Sequence, residues 1–321
     1  MQYSKVTGTD LSASRLVLGT DSFGTLVSEP DAFALMDRYV EAGGNVIDTA
    51  SVYADWLGQG KSISEKTIGK WLKARNNRSQ VILATKGGHY DLDTQAPRLD
   101  YHSVREDFEN SLRNLQTDHI DIYYLHKDDE SQSPESLMDM LQEAAPAQQA
   151  RYLGVSNWSY DRIRRANVYA REKGLRPIIA SQIQHSIASA NIDQFGITAM
   201  DAASYSRYAQ DELSIFAYSS QAKGFFAILE KGGAEALSEA TRAMYWNEEN
   251  CKRYQRLQVL AKEKNESVAT LVLAALVSDP KVNTFAQIGP RTMGSLSASL
   301  MGADVCLTEA ERRFLLEDER K

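Results

Sequence analysis

Eight short apolar runs, RLVLGT, NVIDTA, VILATK, IDIYYLH, RYLGVS, IIASQIQ, LSIFAYS and TFAQIG, punctuate the chain between residues 15 and 289. Each is too brief and too continuously apolar for an alternating strand with one wet face, so it suits a parallel strand covered on both sides. Between them lie stretches such as DAFALMDRYVEAGG, SISEKTIGKWLKARN and SVREDFENSLRNLQTD, where apolar residues recur three and four apart behind a Ser or Asp cap. These read as amphipathic helices. Gly43 and Gly44 end the first of them, where a left-handed terminus favours a residue without Cβ. Eight strand-then-helix units at intervals of about 30 to 40 residues predict a closed (β/α)8 TIM barrel of the α/β class rather than an open doubly wound sheet. A chain of 321 residues is of the size of one such barrel, and we expect residues 1–321 to form a single domain.

One interval breaks the rhythm. Between LSIFAYS and TFAQIG the chain carries a Gly-rich piece, KGFFAILEKGGAEAL, which we read as a long functional loop. Two helical patterns, CKRYQRLQVLAKEK and SVATLVLAALVSD, follow it, and TEAERRFLLEDER predicts a closing helix. With 43% hydrophobic and 25% charged residues the chain can bury a sizeable core. A net charge of -7 argues against a nucleic-acid partner, which would need a concentrated basic face. The N-terminus has no apolar signal core and no apolar stretch approaches bilayer length, so we expect a cytoplasmic protein without a membrane partner. Cys251 and Cys306 lack metal-ligand spacing and are expected to be buried filler, with neither a disulfide nor a metal site. Nothing in the sequence selects an oligomeric state.

Barrels of this kind carry their reacting groups at the C-terminal ends of the strands. Read in order, those ends hold Asp21; Asp48 then Tyr53; Lys86; His126; Ser156 and Asn157; Gln182; Ser219; and Gly289 with Arg291. From LGTDSFG through NVIDTASVY, ISEKTIGKWL, LATKGG, IDIYYLH, YLGVSNW, ASQIQ and AYSS to IGPR, the sequence resembles the aldo-keto reductase family over nearly its whole length. The resemblance implies an NAD(P)H-dependent enzyme that reduces an aldehyde or ketone, with Asp48, Tyr53, Lys86 and His126 as its catalytic tetrad. It also implies that Ser156, Asn157 and Gln182 hold the nicotinamide carboxamide and that Tyr218 stacks on the ring. Ser219 and Gly224 would then run along the pyrophosphate, with Gly289 and Arg291 beyond.

Elementary chemistry agrees with that assignment. A carbonyl that accepts hydride builds negative charge on oxygen, so the site needs a positioned acid, and Tyr53 fills that role. Lowering a phenol from about 10 by about three units needs roughly 4 kcal/mol. One ammonium about 4 Å away contributes on that order at an effective dielectric near 20, so Lys86 is expected to pull Tyr53 down. Asp48 then belongs on the far side of Lys86, because a carboxylate beside the phenol would oppose the shift. His126 is left to orient the substrate oxygen.

No dinucleotide fingerprint of the open-sheet type is present; the Gly58–Ser62 stretch GQGKS lacks the first glycine of a phosphate loop and no strand leads into it. The guanidinium of Arg291 suits a ribose 2′-phosphate, which favours NADP(H) over NAD(H), although Ser295 and Ser299 stand where relatives carry longer polar side chains. Asp21 and Asp128, with Trp56 and Trp158 nearby, suggest a hydroxylated, sugar-derived carbonyl held against aromatic faces. Two other readings are a nicotinamide-binding sensory subunit with little turnover and a metal-assisted barrel hydrolase. The second needs several converging ligands, yet of five histidines only His126 and His185 fall near strand ends.

Overall fold

The computed structural model describes residues 1–191, 197–211 and 213–316. Eight parallel strands close into a barrel in the order β10-β3-β4-β5-β6-β7-β8-β9. They are β3 (Leu16–Gly19), β4 (Val46–Asp48), β5 (Ile82–Gly87), β6 (Ile120–Leu125), β7 (Ala150–Ser156), β8 (Ile178–Gln184), β9 (Ser214–Tyr218) and β10 (Thr284–Ile288). Each lies within one of the eight apolar runs or extends it by a residue. The helices are α1 (Glu29–Glu41), α2 (Ile63–Arg75), α3 (Tyr101–Leu115), α4 (Pro134–Ala144), α5 (Tyr160–Lys173), α6 (Ala202–Gln210), α7 (Phe225–Gly232), α8 (Glu239–Tyr245), α9 (Glu248–Lys264), α10 (Val268–Val277), α11 (Met293–Met301) and α12 (Glu309–Leu316). The rest of the predicted C-terminal helix lies outside the described residues.

Local signals start and stop these helices where the sequence places them. Ser28, Asp100 and Ser133 accept backbone N–H bonds at the starts of α1, α3 and α4. At the end of α1, Gly43 sits at φ +87° and its N–H reaches the Val40 carbonyl, while the Gly44 N–H reaches that of Tyr39. That pair of bonds is a Schellman motif, and a Cβ on Gly44 would fall 2.2 Å from the Tyr39 ring.

Two expectations are corrected and one element was not anticipated. The Gly-rich piece after β9 is not an open loop but folds into α7 and a 3-10 turn (Ala234–Ala236), because Phe225, Phe226 and Leu229 bury against Tyr245, Leu257 and Leu271 in a second apolar cluster. An antiparallel hairpin, β1 (Tyr3–Lys5) with β2 (Ser12–Ser14), precedes the barrel; its strands are too short and polar to read from pattern. Val6, Leu11 and Ala13 from this hairpin join Val17, Val46, Ala84, Ile122, Tyr124, Ala180, Phe216 and Phe285 in one cluster, so the hairpin plugs the end of the barrel away from the strand C-termini. Cys306 is exposed and Cys251 half-buried, so neither is buried filler. Among the described residues no helix is long and apolar enough to cross a membrane.

His185, just past β8, is structural. Its ring lies 5.4 Å from that of Tyr205, and burial, with Arg312 nearby, pushes the imidazole down to about 4. His126 and His89 are displaced in the same direction by burial. The unfolded chain therefore takes up protons below about pH 6.5 that the folded chain refuses, and stability falls as pH drops from there toward 4. We expect about 1.4 kcal/mol per pH unit from His185, measured as urea midpoints between about pH 6.5 and 4.5. His185→Gln should flatten that slope; an unchanged slope would show that His185 is not among the groups responsible.

Candidate active site

Strand periodicity builds this site. Val17, Val46, Ala84, Tyr124, Ala180, Phe216 and Phe285 form the inner apolar layer, and side chains two residues further along each strand face the same way. That places Gly19, Asp48, Lys86, His126, Gln182, Tyr218 and Gln287 in one ring at the C-terminal mouth. A cleft of about 530 Å³ opens above them, lined in part by Tyr53, His126, Gln182, Tyr218 and Gln287.

Asp48 and Lys86 lie beneath the floor of this cleft, both fully buried. Lys86 Nζ donates to Asp48 Oδ1 at 2.6 Å, to the Thr49 carbonyl at 2.6 Å and to the Tyr53 hydroxyl at 3.0 Å. An ammonium has three N–H bonds, and all three are used. Asp48 Oδ2 accepts from Gln182 Nε2 at 2.7 Å, and Gln287 Nε2 donates to Oδ1. The loop that carries Tyr53 is pinned to the barrel: the Thr49 N–H donates to the Ala84 carbonyl, the Ser51 N–H to that of Lys86, and Thr20 Oγ1 to that of Asp48.

The electrostatics differ from the sequence-based expectation for Tyr53. Its phenol is held well above the ordinary 10, first by burial and then by Asp48 and Asp21, not drawn toward neutrality by Lys86. The physical reason is that Asp48 sits hard against the ammonium and offsets its field, while desolvation penalises the phenolate. Burial also lowers Lys86, opposed by Asp48 and Glu65. His126 is pushed well below 6.5 by burial, with His89, Lys86 and Lys127 adding to the effect, so its ring is neutral. Its Nδ1 is buried without a hydrogen-bond partner among the described residues. Since an unpaired buried lone pair is less costly than an unpaired N–H, we assign the proton to Nε2.

Along one wall, Asn157 adopts φ +63° and gathers several bonds: its Oδ1 accepts from the Tyr218 hydroxyl at 2.6 Å and from the Thr198 N–H, and its Nδ2 donates to Ser156 Oγ. Ser219 and Gly224 line the cleft beside Lys223, in a segment where Ser219, Ala222, Lys223 and Gly224 all take left-handed backbone. Gly289 and Arg291 line it as well. Lys223 and Arg291 are in no salt bridge among the described residues, which leaves two cations lining the same cleft as Ser156, Asn157, Gln182 and Tyr218. Cations there suit the phosphates of a nicotinamide dinucleotide. Ser295 is consumed in the capping box of α11 that Thr292 opens, where it accepts from the Arg291 and Thr292 N–H groups.

The residues assigned to substrate divide. Asp21 lines the cleft. Trp56 is outside the cleft lining, 51% exposed, with its ring edge-on to Tyr53 at 6.0 Å. Asp128 and Trp158 are turned away from the cleft: the Asp128 carboxylate is bound by Arg162 at 2.6 Å, and Trp158 is buried under the same guanidinium, donating to the Lys127 carbonyl. Gln287 and the Thr49 carbonyl went unread in the sequence, as did Lys223. For Gln287 the signal was present, as a lone polar residue two positions beyond Phe285 in an apolar run.

A model of the aldo/keto reductase family matches residues 15–312. The chain is 27% identical to the "Uncharacterized oxidoreductase YrpG" of Bacillus subtilis, across 98% of this chain and 95% of that one. It is 30% identical to "Norsolorinic acid reductase stcV" of Emericella nidulans (94% and 77%) and 27% identical to "Aryl-alcohol dehydrogenase [NADP(+)]" of Phanerodontia chrysosporium (96% and 83%).

Proposed function

This chain belongs to the aldo/keto reductase family, an enzyme family of nicotinamide-dependent oxidoreductases, and we propose that it reduces an aryl aldehyde or ketone with Tyr53 as the proton donor. The observation that carries the reading is the fully used ammonium of Lys86. Because Lys86 donates to the Tyr53 oxygen, the phenol's own proton is free to point into the cleft. When bound, NADPH supplies hydride to the carbonyl carbon. Tyr53 hands its proton to the oxygen as charge builds there, and the Lys86 ammonium steadies the phenolate left behind. The neutral His126 donates from Nε2 to hold that oxygen, its ring 5.7 Å from that of Tyr53. Asp48 keeps Lys86 charged and aimed.

Two considerations favour an aryl substrate over the sugar-derived carbonyl. Of the four residues assigned to a hydroxylated ligand, Asp128 and Trp158 are engaged by Arg162, whereas Trp56 and Tyr53 offer aromatic surface at the mouth. The name of the Phanerodontia relative, an aryl-alcohol dehydrogenase, also points to an aryl compound. A panel of benzaldehydes, aryl ketones and aldoses, followed by loss of NADPH absorbance, tests this; a higher kcat/KM for aldoses would refute the substrate class. Cofactor binding with no turnover across the panel would instead favour the sensory reading. Family membership displaces the metal-assisted hydrolase.

We assign Arg291 to the 2′-phosphate of NADPH. A guanidinium–phosphate pair contributes about 1.5–3 kcal/mol, so Arg291→Ala should weaken NADPH about 10- to 100-fold in a fluorescence titration and leave NADH nearly unchanged. Equal weakening of both would move Arg291 elsewhere along the dinucleotide.

A further inference from the structure

Gln287 takes no part in the four-residue chemistry above, yet its side chain reaches the deepest part of the site. We propose that Gln287 is a positioning residue whose side-chain amide holds the Asp48 carboxylate in place, so that Asp48 in turn keeps Lys86 under Tyr53. The proposal rests on the catalytic reading of Tyr53 and Lys86. Asp48 is entirely buried and its oxygens accept from Lys86, Gln182 and Gln287. Gln287 and Lys86 share Oδ1, so the amide defines where that oxygen sits relative to the ammonium.

The fold makes room for this side chain. β10 pairs with β3 through Ile288 and Leu18, and the neighbouring Gly19 is bare where a Cβ would come within 3.1 Å of Gln287 Cγ and 3.2 Å of its Nε2. Any side chain at position 19 would press directly on the amide. Ser220 Oγ donates to the Gln287 carbonyl at 2.6 Å, which fastens the end of β10 to the segment that lines the cleft. Gln287 is thus clamped at its backbone and free of steric pressure at its amide. With Gln287 replaced by an apolar residue, Oδ1 loses one of its two donors, and the carboxylate is free to rotate about its remaining contacts.

The consequence is read at Lys86. The groups that face it are Asp48 and Tyr53 from β4 and its loop, Glu65 from α2, Asp21 after β3 and His126 at the end of β6. Of these only Asp48 is bonded to the ammonium as a counter-ion. A lysine whose carboxylate has swung away in a dry site gives up its proton more readily, so its titration moves to lower pH.

The test uses Gln287→Met, which keeps the volume and removes the amide, and Gln287→Glu. In Gln287→Met we expect kcat to fall about tenfold, the size of a lost hydrogen bond to a charged group, with NADPH affinity changed less than about twofold. The alkaline limb of the kcat profile should move to lower pH. Gln287→Glu should work best at acid pH, where the new carboxyl is protonated and can donate to Asp48, and lose activity as it ionises against Asp48. Unchanged kcat and limb in Gln287→Met would overturn the proposal, and so would a uniform loss with a lowered melting temperature and no limb displacement. Lysine Cε resonances, with Lys86 identified by Lys86→Arg, report its titration without substrate. A shifted Lys86 midpoint in Gln287→Met, with no carbonyl reduced by the unmodified protein, would leave the positioning role standing and sink the catalytic reading. An unshifted midpoint sinks the positioning role whatever the turnover.

Discussion

Tyr53→Phe is expected to lower kcat for carbonyl reduction by about 10³-fold, within the range supplied by a positioned general acid, while NADPH affinity stays within about twofold. The substitution removes one oxygen and keeps the ring, so the edge contacts with Trp56 and His126 persist. What is lost is, among the described residues, the only hydroxyl that both accepts from Lys86 and faces the cleft. Because burial and Asp48 hold the phenol well above 10, Tyr53 is protonated throughout the neutral range and its own ionisation does not limit the rate there. We therefore expect the alkaline limb of the unmodified enzyme to report Lys86, which burial holds below 10.5. Stopped-flow rates for hydride transfer, compared with steady-state kcat, check the assignment directly. A variant whose hydride-transfer rate stays within about tenfold of the parent would remove Tyr53 as the acid.

The barrel was legible because its signal is redundant. Eight buried parallel strands each write a continuous apolar run, and each run ends where the chain meets the mouth. Asp48, Lys86 and Gln182 could be located for the same reason: a polar residue that closes an apolar run, in phase with the inner layer, has one place to go. Gln287 obeys the same phase but sits inside TFAQIG, where it reads as an interruption and not as an ending. Direction was the harder part. Trp158 and Asp128 lie only two and three residues past a strand end, against one for Asn157, yet Arg162 of α5 draws both away from the cleft; nothing local to KDDE or SNW carries that information. The error over Tyr53 was one of accounting in space. A lone ammonium is large enough to lower a phenol, but its pairing with a carboxylate and the desolvation of the whole cluster depend on distances that spacing along the chain does not encode.

Lys86→Met tests whether the buried pair is chemical, structural or both. Removing the ammonium leaves Asp48 charged at zero exposure with only the amides of Gln182 and Gln287. Breaking a buried ion pair from one side destabilises by about 3–5 kcal/mol, because the remaining charge stays in a dry site without its partner. For a chain of this length that corresponds to a melting temperature lower by about 5–10 °C. Activity should fall at least as far as in Tyr53→Phe, since the phenolate loses its counter-charge, and the alkaline limb should disappear with the group that titrates there. Loss of stability could by itself explain loss of activity, so the double variant Asp48→Asn/Lys86→Met is the decisive measurement. It removes both charges and keeps polar contacts for the two glutamines, and replacing a buried pair by neutral groups is often close to neutral for stability. We expect it to recover most of the melting temperature and none of the turnover, with a coupling of more than about 2 kcal/mol between the two sites in stability. Turnover that returned along with the fold would mean that the ammonium only holds the barrel mouth together, and the proton would then have to come from a group other than the Lys86-supported phenol.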